Sequence, residues 1–300
     1  MPSQLIADFQ DITQDMLGLA GGKAVNLGVL TRAGFPVPPG RCVTTEAYRR
    51  ITARAGLDEV IAKLSGTDAG DTATLIALAG HARDLVASAP VPDDIAGAIR
   101  AAAGNGPVAV RSSATAEDLP YASFAGQQDT YLNITGPDAV LDAVRRCWAS
   151  LWTDRAVAYR AANGIDHHAV RLAVIIQDMV AAEVAGVMFT ADPLTGRRHQ
   201  MVIDAAPGLG EAVVSGSVNP DQFIVAPDGG ITTRVAVPDG HACLTEAQVT
   251  RLAALGAEVE RHYGSPQDTE WALDAKGEFW LTQARPITTL FPVPKSALAA

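Results

Sequence analysis

Residues 108–134, VAVRSSATAEDLPYASFAGQQDTYLNI, decide the fold and the kind of site that this sequence predicts. An apolar run ends in Arg111-Ser112-Ser113, and a glycine-containing loop then leads to an alternating run over Thr130–Ile134. Such runs predict two strands. An arginine at a strand end can hold phosphate oxygens at two points, and Gly126 and Thr130 offer an amide and a hydroxyl to the same group. The segment predicts a phosphate-binding loop, the alternative being a surface arginine paired with an acidic neighbour.

Upstream, Gly21-Gly22-Lys23 precedes a helical pattern with Leu27 and Leu30 at helical spacing. Glycines allow close backbone approach to phosphate, a helix N-terminus favours anions, and Lys23 adds a mobile charge. The GxxxxGK[ST] spacing of a Walker loop is absent. We expect a loop leading into a helix here; a solvated lysine beside a helix cap remains the alternative. Residues 50–103 are alanine-rich and periodic, which predicts a small helical bundle.

Downstream, an apolar strand predicted over 171–177 ends at Gln177 and is followed by Met179 and Val180. A polar residue and an apolar wall at a strand end suit an adenine slot, although an ordinary strand exit has the same pattern. After a further strand, Gly208–Glu211 (GLGE) lacks the third glycine of a dinucleotide fingerprint, which excludes a Rossmann site. A phosphate or metal loop that includes Glu211 remains open.

Near the end, two strands are predicted around the turn at 274–277, and they carry Glu270 on one side and Gln283 and Arg285 on the other. If the strands pair, Glu270 and Gln283 converge, and one carboxylate with one amide oxygen suits Mg²⁺. Arg285 would neutralise phosphate charge during transfer. The alternative is a structural salt bridge between Glu270 and Arg285.

Helices dominate the first half and strands the second, which predicts an α+β fold with two lobes. We expect a first lobe over residues 1–180, a second over 181–290, and a tail or linker over 291–300. Residues 138–163 are predicted to form one long helix that carries Trp148 and Trp152 on one face.

Composition excludes several classes of protein. The 300 residues carry a formal net charge of −10 with no basic stripe, so we expect no nucleic-acid partner. No stretch is apolar enough for a membrane helix, and the acidic start is unlike a signal peptide, so we expect a cytoplasmic protein without a membrane partner. Three scattered cysteines fit a reducing compartment.

The order of these motifs is more specific than any one of them. GGKAVNL, GFPVPPG, RSSATAEDLPYASFAGQQDTYLN, GVMFTADP, GLGEAVVSGSVNPDQF and QDTEW with LTQARPITTL follow one another over residues 15–290. This series resembles the N-terminal ATP-binding domain of the pyruvate-phosphate dikinase family, which includes phosphoenolpyruvate synthase and rifampin phosphotransferase. The resemblance implies a two-lobed ATP-grasp-like domain with a helical N-terminal part.

The resemblance also implies a role for each candidate residue. Lys23 and Arg111 would hold phosphates, and Gly126 and Thr130 would belong to the loop that covers them. Gln177, Met179 and Val180 would meet adenine, and Glu211 would lie near the ribose or phosphates. Glu270 and Gln283 would ligate Mg²⁺, and Arg111 and Arg285 would be the catalytic residues.

In the family, ATP is cleaved to AMP, and the β-phosphoryl group passes to a histidine on a swivelling domain. A further domain then phosphorylates pyruvate or a rifamycin. No segment here matches the phosphohistidine pattern, so both partners are expected on another chain or a missing segment. A non-catalytic nucleotide-binding regulatory module is an alternative; the motif order disfavours a carboxylate–amine ligase.

Overall fold

The computed structural model describes residues 4–115, 118–119, 122–123, 129–236 and 240–290. The chain divides into two compact units. Unit 1 comprises Met1–Gly34 and Pro38–Met179, and unit 2 comprises Phe35–Val37 and Val180–Ala300. Gly126 and residues 291–300, to which the sequence assigns a loop position and a tail, lie outside the described residues.

Unit 1 combines helices with a sheet. Its strands are β1 (Ile6–Asp8), β2 (Gly40–Val43), β3 (Val108–Ala114), β4 (Asp118–Leu119), β5 (Ala122–Ser123), β6 (Thr130–Ile134) and β7 (Leu172–Asp178). Its helices are α1 (Leu17–Arg32), α2 (Thr45–Thr52), α3 (Leu57–Ser65), α4 (Thr72–Ser88), α5 (Asp93–Ala102), α6 (Pro137–Ser150) and α7 (Asp154–Ala162). The helical bundle predicted over residues 50–103 is present as α3, α4 and α5.

The main sheet of unit 1 has the strand order β1-β2-β7-β3-β6, and its described pairs are antiparallel. β3 is buried along its whole length, and β7 is buried from Leu172 to Gln177. Alternate residues of β3, such as Val108 and Val110, join one core cluster with residues of α6. The opposite face of β3 is therefore the one on which Arg111 and Ser113 lie.

Two local predictions in unit 1 are corrected. The residues preceding Lys23 are not a loop, because helical structure already begins at Leu17, but the predicted helix start beside Lys23 is present, since a non-helical backbone at Gly21 separates two helical stretches of α1. The single helix predicted over 138–163 is two helices, α6 and α7. Thr153 begins the second one, since its hydroxyl accepts a hydrogen bond from the amide of Ala156 at 3.3 Å.

Unit 2 is built on a six-stranded sheet. Its elements are β8 (Ala182–Phe189), β9 (Met201–Pro207), α8 (Glu211–Val214), β10 (Asp221–Val225), β11 (Ile231–Arg234), α9 (Glu246–Tyr263), β12 (Gln267–Asp274) and β13 (Phe279–Pro286). The order is β11-β10-β9-β8-β12-β13, and the described pairs are antiparallel. The α+β class is confirmed, and so is the hairpin predicted around residues 274–277.

The two faces of this sheet differ in chemistry. One face carries Met188, Ile203, Phe223 and Trp271, which are almost fully buried, and α9 packs against β12. The other face carries a row of cross-strand partners, in the order Gln222, Asp204, Val187, Glu270, Gln283. Directly paired residues of adjacent strands project from the same face. The sheet thus presents a mostly polar row away from its apolar core.

None of the helices in the described ranges combines the length and the apolar character that a bilayer crossing requires.

Candidate functional site

Strand β3 and helix α1 position the candidate residues of unit 1. Gly21 breaks α1 with a φ of 74°, and a Cβ atom at this position would lie 2.2 Å from the Ser113 carbonyl oxygen. Only glycine fits both the left-handed backbone and this close approach. The break allows a second helical stretch to start beside β3 at Gly22 and Lys23.

Ser113 caps that second stretch from the neighbouring strand. Its buried hydroxyl accepts a hydrogen bond from the Ala24 amide at 3.1 Å, and the Lys23 ammonium donates to the Ser112 carbonyl at 3.3 Å. Together these contacts fix the start of the helical stretch, including Lys23, against β3. Sequence reasoning did not assign this capping role to Ser113.

Arg111 lies on the same face of β3 as Ser113, two residues earlier in the strand. It is 8% exposed. Its direct cross-strand partner is Thr130, an exposed residue at the start of β6. The structure therefore brings Lys23, Arg111 and Thr130 to one part of unit 1, where two cations and a hydroxyl could meet a phosphate chain.

Gln177 ends the buried part of β7. The residue is 2% exposed, and its side-chain amide donates to the Pro38 carbonyl at 3.2 Å. The Met179 amide donates to the Pro107 carbonyl at 3.0 Å, while the Met179 and Val180 side chains are half-buried. Gln177 thus has a structural contact of its own, and the adenine roles of all three residues remain predictions.

In unit 2, Glu270 on β12 and Gln283 on β13 are direct partners. The Gln283 side-chain amide donates to the Glu270 carboxylate at 3.1 Å. The strands thus bring together the carboxylate and the amide that the sequence assigns to Mg²⁺.

Arg285 lies two residue pairs further along the same hairpin, on the same face of the sheet, and contacts Asp268. Its Nε and Nη2 atoms lie 2.8 and 2.7 Å from the Asp268 Oδ2 atom. The register places Arg285 opposite Asp268, so its described ion pair is with that residue, and the alternative of a salt bridge between Glu270 and Arg285 stays a prediction. Sequence reasoning missed Asp268, although the Asp-x-Glu alternation of residues 268 and 270 on one strand face could have revealed it.

Burial raises the pKa of the Asp268 carboxyl above its usual value. Arg285 acts in the opposite direction, and the nearby Glu270 carboxylate adds to the increase. The hairpin therefore concentrates two acidic groups on a partly buried surface, which favours a cation beside them.

Glu211 begins α8 and is exposed. This four-residue helix follows Gly208, whose φ is 88°, and it packs against β8 and β9. The antiparallel sheet confirms that GLGE is not part of a Rossmann site. A contact of Glu211 with nucleotide remains a prediction.

The donor set of unit 2 consists of oxygen atoms, the ligands that a magnesium ion prefers. The described residues contain no cluster of three or more histidine, cysteine or acidic side chains that could enclose a metal. Mg²⁺ does not need one, since it commonly takes one or two protein oxygens and fills its remaining positions with water and phosphate oxygens. Glu270 and Gln283 fit that mode.

Comparison with known proteins gives a consistent result. A family model described as "Pyruvate phosphate dikinase, AMP/ATP-binding domain" matches residues 17–235 and 226–297. A rifampicin phosphotransferase of Streptomyces sp is 46% identical over 98% of this chain. A probable phosphoenolpyruvate synthase of Methanothermobacter thermautotrophicus is 44% identical over 95%, and the phosphoenolpyruvate synthase of Pyrococcus furiosus is 40% identical over 97%.

The match covers 37% of the Streptomyces protein, 46% of the Methanothermobacter protein and 44% of the Pyrococcus protein, so the chain spans less than half of each relative. A solved structure of a D-cycloserine synthetase aligns with a TM-score of 0.31 at 16% identity, over 87% of this chain and 61% of that one, a level that supports no inference. The family model, in contrast, covers nearly the whole sequence. The chain belongs to the pyruvate phosphate dikinase AMP/ATP-binding domain family.

Proposed function

We propose that this chain is the Mg-ATP-binding phosphotransfer component of an enzyme that resembles phosphoenolpyruvate synthase. ATP would be cleaved to AMP, and the β-phosphoryl group would pass to a histidine on a segment outside these 300 residues. The observation that supports this most directly is the hairpin of unit 2, where the Glu270–Gln283 and Arg285–Asp268 pairs lie side by side.

Phosphoryl transfer needs positioning and charge neutralisation more than covalent chemistry from the protein. Lys23 and Arg111 would bind phosphate oxygens, with Gly126 and Thr130 in the covering loop. Arg285 would neutralise the transferred group. The remaining roles are adenine and ribose contacts by Gln177, Met179, Val180 and Glu211.

Glu270 and Gln283 would hold the magnesium ion, which would supply charge neutralisation at the phosphates. Gln283 at present turns its amide nitrogen toward Glu270. Rotation of that terminal amide by about 180° would present the oxygen to the site instead of the nitrogen. The two orientations of the amide have a similar shape. The pair can therefore change from a hydrogen bond to a pair of oxygen ligands without movement of the strands.

The partner segment is part of the proposal. Each of the three relatives named above extends well beyond the matched region. In the proposed step, a neutral histidine nitrogen attacks the β-phosphorus. The bond from that phosphorus to the α-bridging oxygen breaks, so AMP leaves and the histidine carries the β- and γ-phosphates. Hydrolysis then releases the γ-phosphate and leaves phosphohistidine. Because ATP and Mg²⁺ are abundant in the cytoplasm, a cytoplasmic location belongs to the same proposal.

The test supplies the missing histidine. The chain is mixed with Mg-ATP and the purified remainder of the Streptomyces rifampicin phosphotransferase, and nucleotide products are separated by chromatography. We expect AMP, and we expect Arg285→Gln to abolish it while ATP remains bound. ADP as the sole product would contradict dikinase-type transfer. Bound ATP without any product would instead support the non-catalytic regulatory module.

A rifamycin acceptor is the second candidate. Two Streptomyces rifampicin phosphotransferases are 46% and 47% identical to this chain, slightly more than the 44% of the Methanothermobacter protein. Parallel reactions with rifampicin or pyruvate, each with the matching remainder of a relative, would distinguish the two. The acceptor whose addition speeds AMP formation identifies the branch.

A further inference from the structure

Strand β6 has little in its own hydrogen-bond ladder to fix its position. It is five residues long, stands at the end of the sheet of unit 1 and has β3 as its neighbour. Between the pairs Val108–Ile134 and Val110–Tyr131, β6 has two residues where β3 has one, and Asn133 in this bulge has a φ of 57°. A short, irregular edge strand is less firmly held in register than a regular central strand. The register of β6 therefore depends on contacts outside the ladder.

The register of β6 matters because it decides on which face of the sheet Thr130 lies. Thr130 is the cross-strand partner of Arg111, so the two side chains project from the same face. A slip by one residue would turn every side chain of β6 to the opposite face. Thr130 would then leave the face on which Arg111 lies, and the Tyr131 ring would move onto it.

Three side chains at the start of β6 support the observed register, and we call them the Tyr131 cluster: Asp129, Tyr131 and Arg146. The Tyr131 hydroxyl donates to the Asp129 Oδ2 atom at 2.8 Å. The guanidinium carbon of Arg146, on α6, lies 4.1 Å from the centre of the Tyr131 ring, a distance at which a cation and an aromatic ring attract each other. The ring also packs against the core cluster of unit 1. The Tyr131 cluster thus links β6 to α6 on the face opposite Thr130.

The backbone of Asp129 is held as well. Its carbonyl accepts a hydrogen bond from the Ser112 amide at 3.3 Å, and the Ser112 hydroxyl lies 3.4 Å from the same oxygen. Burial raises the pKa of the Tyr131 hydroxyl, and the hydrogen bond to Asp129 raises it further, so the hydroxyl stays protonated and remains a donor. Both chain neighbours of Thr130 are therefore fixed, Asp129 before it and Tyr131 after it.

We propose that the Tyr131 cluster is a set of positioning residues that keeps Thr130 beside Arg111, where the Thr130 hydroxyl contacts a phosphate oxygen of the nucleotide. The inference rests on the proposed function and adds residues that do not themselves contact the nucleotide. A hydrogen bond is lost when its two atoms move apart by about 1 Å, so a small shift of β6 is enough to remove this contact. Interactions of exposed groups such as Asp129 and Arg146 contribute little to stability, so their loss should change binding more than folding.

The first measurement needs no nucleotide. Hydrogen exchange of the Ser112 amide is followed by NMR in the unmodified chain, in Tyr131→Phe, which loses only the hydroxyl, and in Tyr48→Phe. Tyr48→Phe is the matched control, because the Tyr48 hydroxyl accepts a hydrogen bond from the Trp152 indole at 2.9 Å. Relative to the amides of β7, the Ser112 amide should exchange about threefold to tenfold faster in Tyr131→Phe. In Tyr48→Phe this ratio should stay unchanged.

The second measurement is the ATP affinity of the 300-residue chain with saturating Mg²⁺, by titration calorimetry. Tyr131→Phe should weaken ATP binding about threefold to tenfold, and Arg146→Gln about twofold to threefold. Tyr48→Phe should keep the full ATP affinity although its urea midpoint falls, because the buried indole of Trp152 is left without its acceptor. In a Thr130→Ala background, Tyr131→Phe should cause no further loss of ATP affinity, since the Tyr131 cluster acts through Thr130.

Three results would overturn the proposal: unchanged Ser112 exchange in Tyr131→Phe, unchanged ATP affinity in that variant, or a full additional loss of affinity in the Thr130→Ala background. If the unmodified chain binds no ATP, the proposed function fails, and with it the phosphate contact of Thr130. The exchange of the Ser112 amide separately decides whether the Tyr131 cluster holds β6 in register.

Discussion

Arg285 and Asp268 face each other across the β12–β13 hairpin, and two nitrogens of the arginine contact one oxygen of the aspartate at 2.8 and 2.7 Å. The Asp268 side chain is 12% exposed, while that of Arg285 is 44% exposed. The aspartate therefore anchors one side of a guanidinium that is partly exposed to solvent. This arrangement suits an arginine that must keep one orientation while it contacts a phosphoryl group.

The first prediction concerns Asp268→Asn. Because burial raises the pKa of Asp268 in the folded chain, its ionised form is disfavoured by folding. The stability that this group contributes is present at acid pH and lost as pH rises through the folded pKa. Urea unfolding at pH 7 should therefore show a change within about 1 kcal/mol, since the half-exposed Arg285 can be solvated. AMP formation with the supplied histidine segment should fall strongly.

Asp274→Asn is the control on the same strand. Asp274 accepts hydrogen bonds from the Lys276 and Glu278 amides and from the Trp280 indole, and its pKa is lowered mainly by the Trp280 contact. This change should cost about 1 kcal/mol of stability and leave AMP formation intact. The reverse pattern, a large loss of stability in Asp268→Asn with normal product formation, would refute the role of Asp268.

A second prediction follows from the hydrogen bond between Gln283 and Glu270. Gln283→Glu places two carboxylates at hydrogen-bond distance, and like charges this close raise their pKa values and destabilise the fold at neutral pH. We expect a loss of about 1–2 kcal/mol without ligand and recovery with Mg-ATP, measured by urea unfolding. Gln222→Glu, opposite Asp204, creates a similar pair on β9 and β10. The Gln222→Glu variant should lose a comparable amount of stability and regain none of it when Mg-ATP is added. Equal recovery of stability in both variants would contradict the assignment of Glu270 and Gln283 to Mg²⁺.

Gly21 supports a third prediction. Gly21→Ala would force a Cβ atom to 2.2 Å from the Ser113 carbonyl at a left-handed φ, so we expect a loss of at least about 2 kcal/mol and weaker ATP binding. Gly18→Ala lies in the same helix with nothing within 4 Å, and it should stabilise the chain by about 0.5–1 kcal/mol. If Gly21→Ala and Gly18→Ala had similar effects on ATP affinity, the placement of Lys23 beside β3 would not matter for ATP binding.

The fourth prediction concerns pH. Burial lowers the pKa of His167 to about 4, with Arg160 and His168 acting in the same direction and Asp166 against it. Between the ordinary histidine pKa of about 6.5 and this value, the unfolded chain binds more protons, so stability falls as pH decreases through this range. The contribution of one such group is at most about 1.4 kcal/mol per pH unit. His167→Gln should reduce the slope between pH 6.5 and 4.5, whereas His199→Gln, on the surface of unit 2, should leave it unchanged.

Sequence patterns predicted the hairpin of unit 2 well, because alternation on β12 and β13 and the turn at residues 274–277 are local signals. They predicted helix 138–163 poorly. A continuous helical pattern masked the break, which depends on the Thr153 cap and on the burial of Trp152 outside α6. Helix propensity is similar on both sides of such a break, so tertiary packing determines where the helix ends.

Side-chain pairing was harder to predict than the strands. The residues of the hairpin were identified, but the pairing of Arg285 with Asp268 depends on a register that sequence alone did not define. The break at Gly21 and the cap by Ser113 depend on two segments about 90 residues apart. No sequence pattern indicated that Arg160 is buried, because an arginine on an alanine-rich helix is most often solvated.

The most direct test is the affinity of the chain for ATP with and without Mg²⁺, measured by titration calorimetry for the unmodified protein and for Glu270→Gln. We expect ATP to bind the unmodified chain at least about tenfold more tightly with Mg²⁺, and Glu270→Gln to lose this difference while it keeps the metal-free affinity. An unmodified chain that binds no ATP, or a Glu270→Gln variant with full Mg²⁺ dependence, would contradict the account.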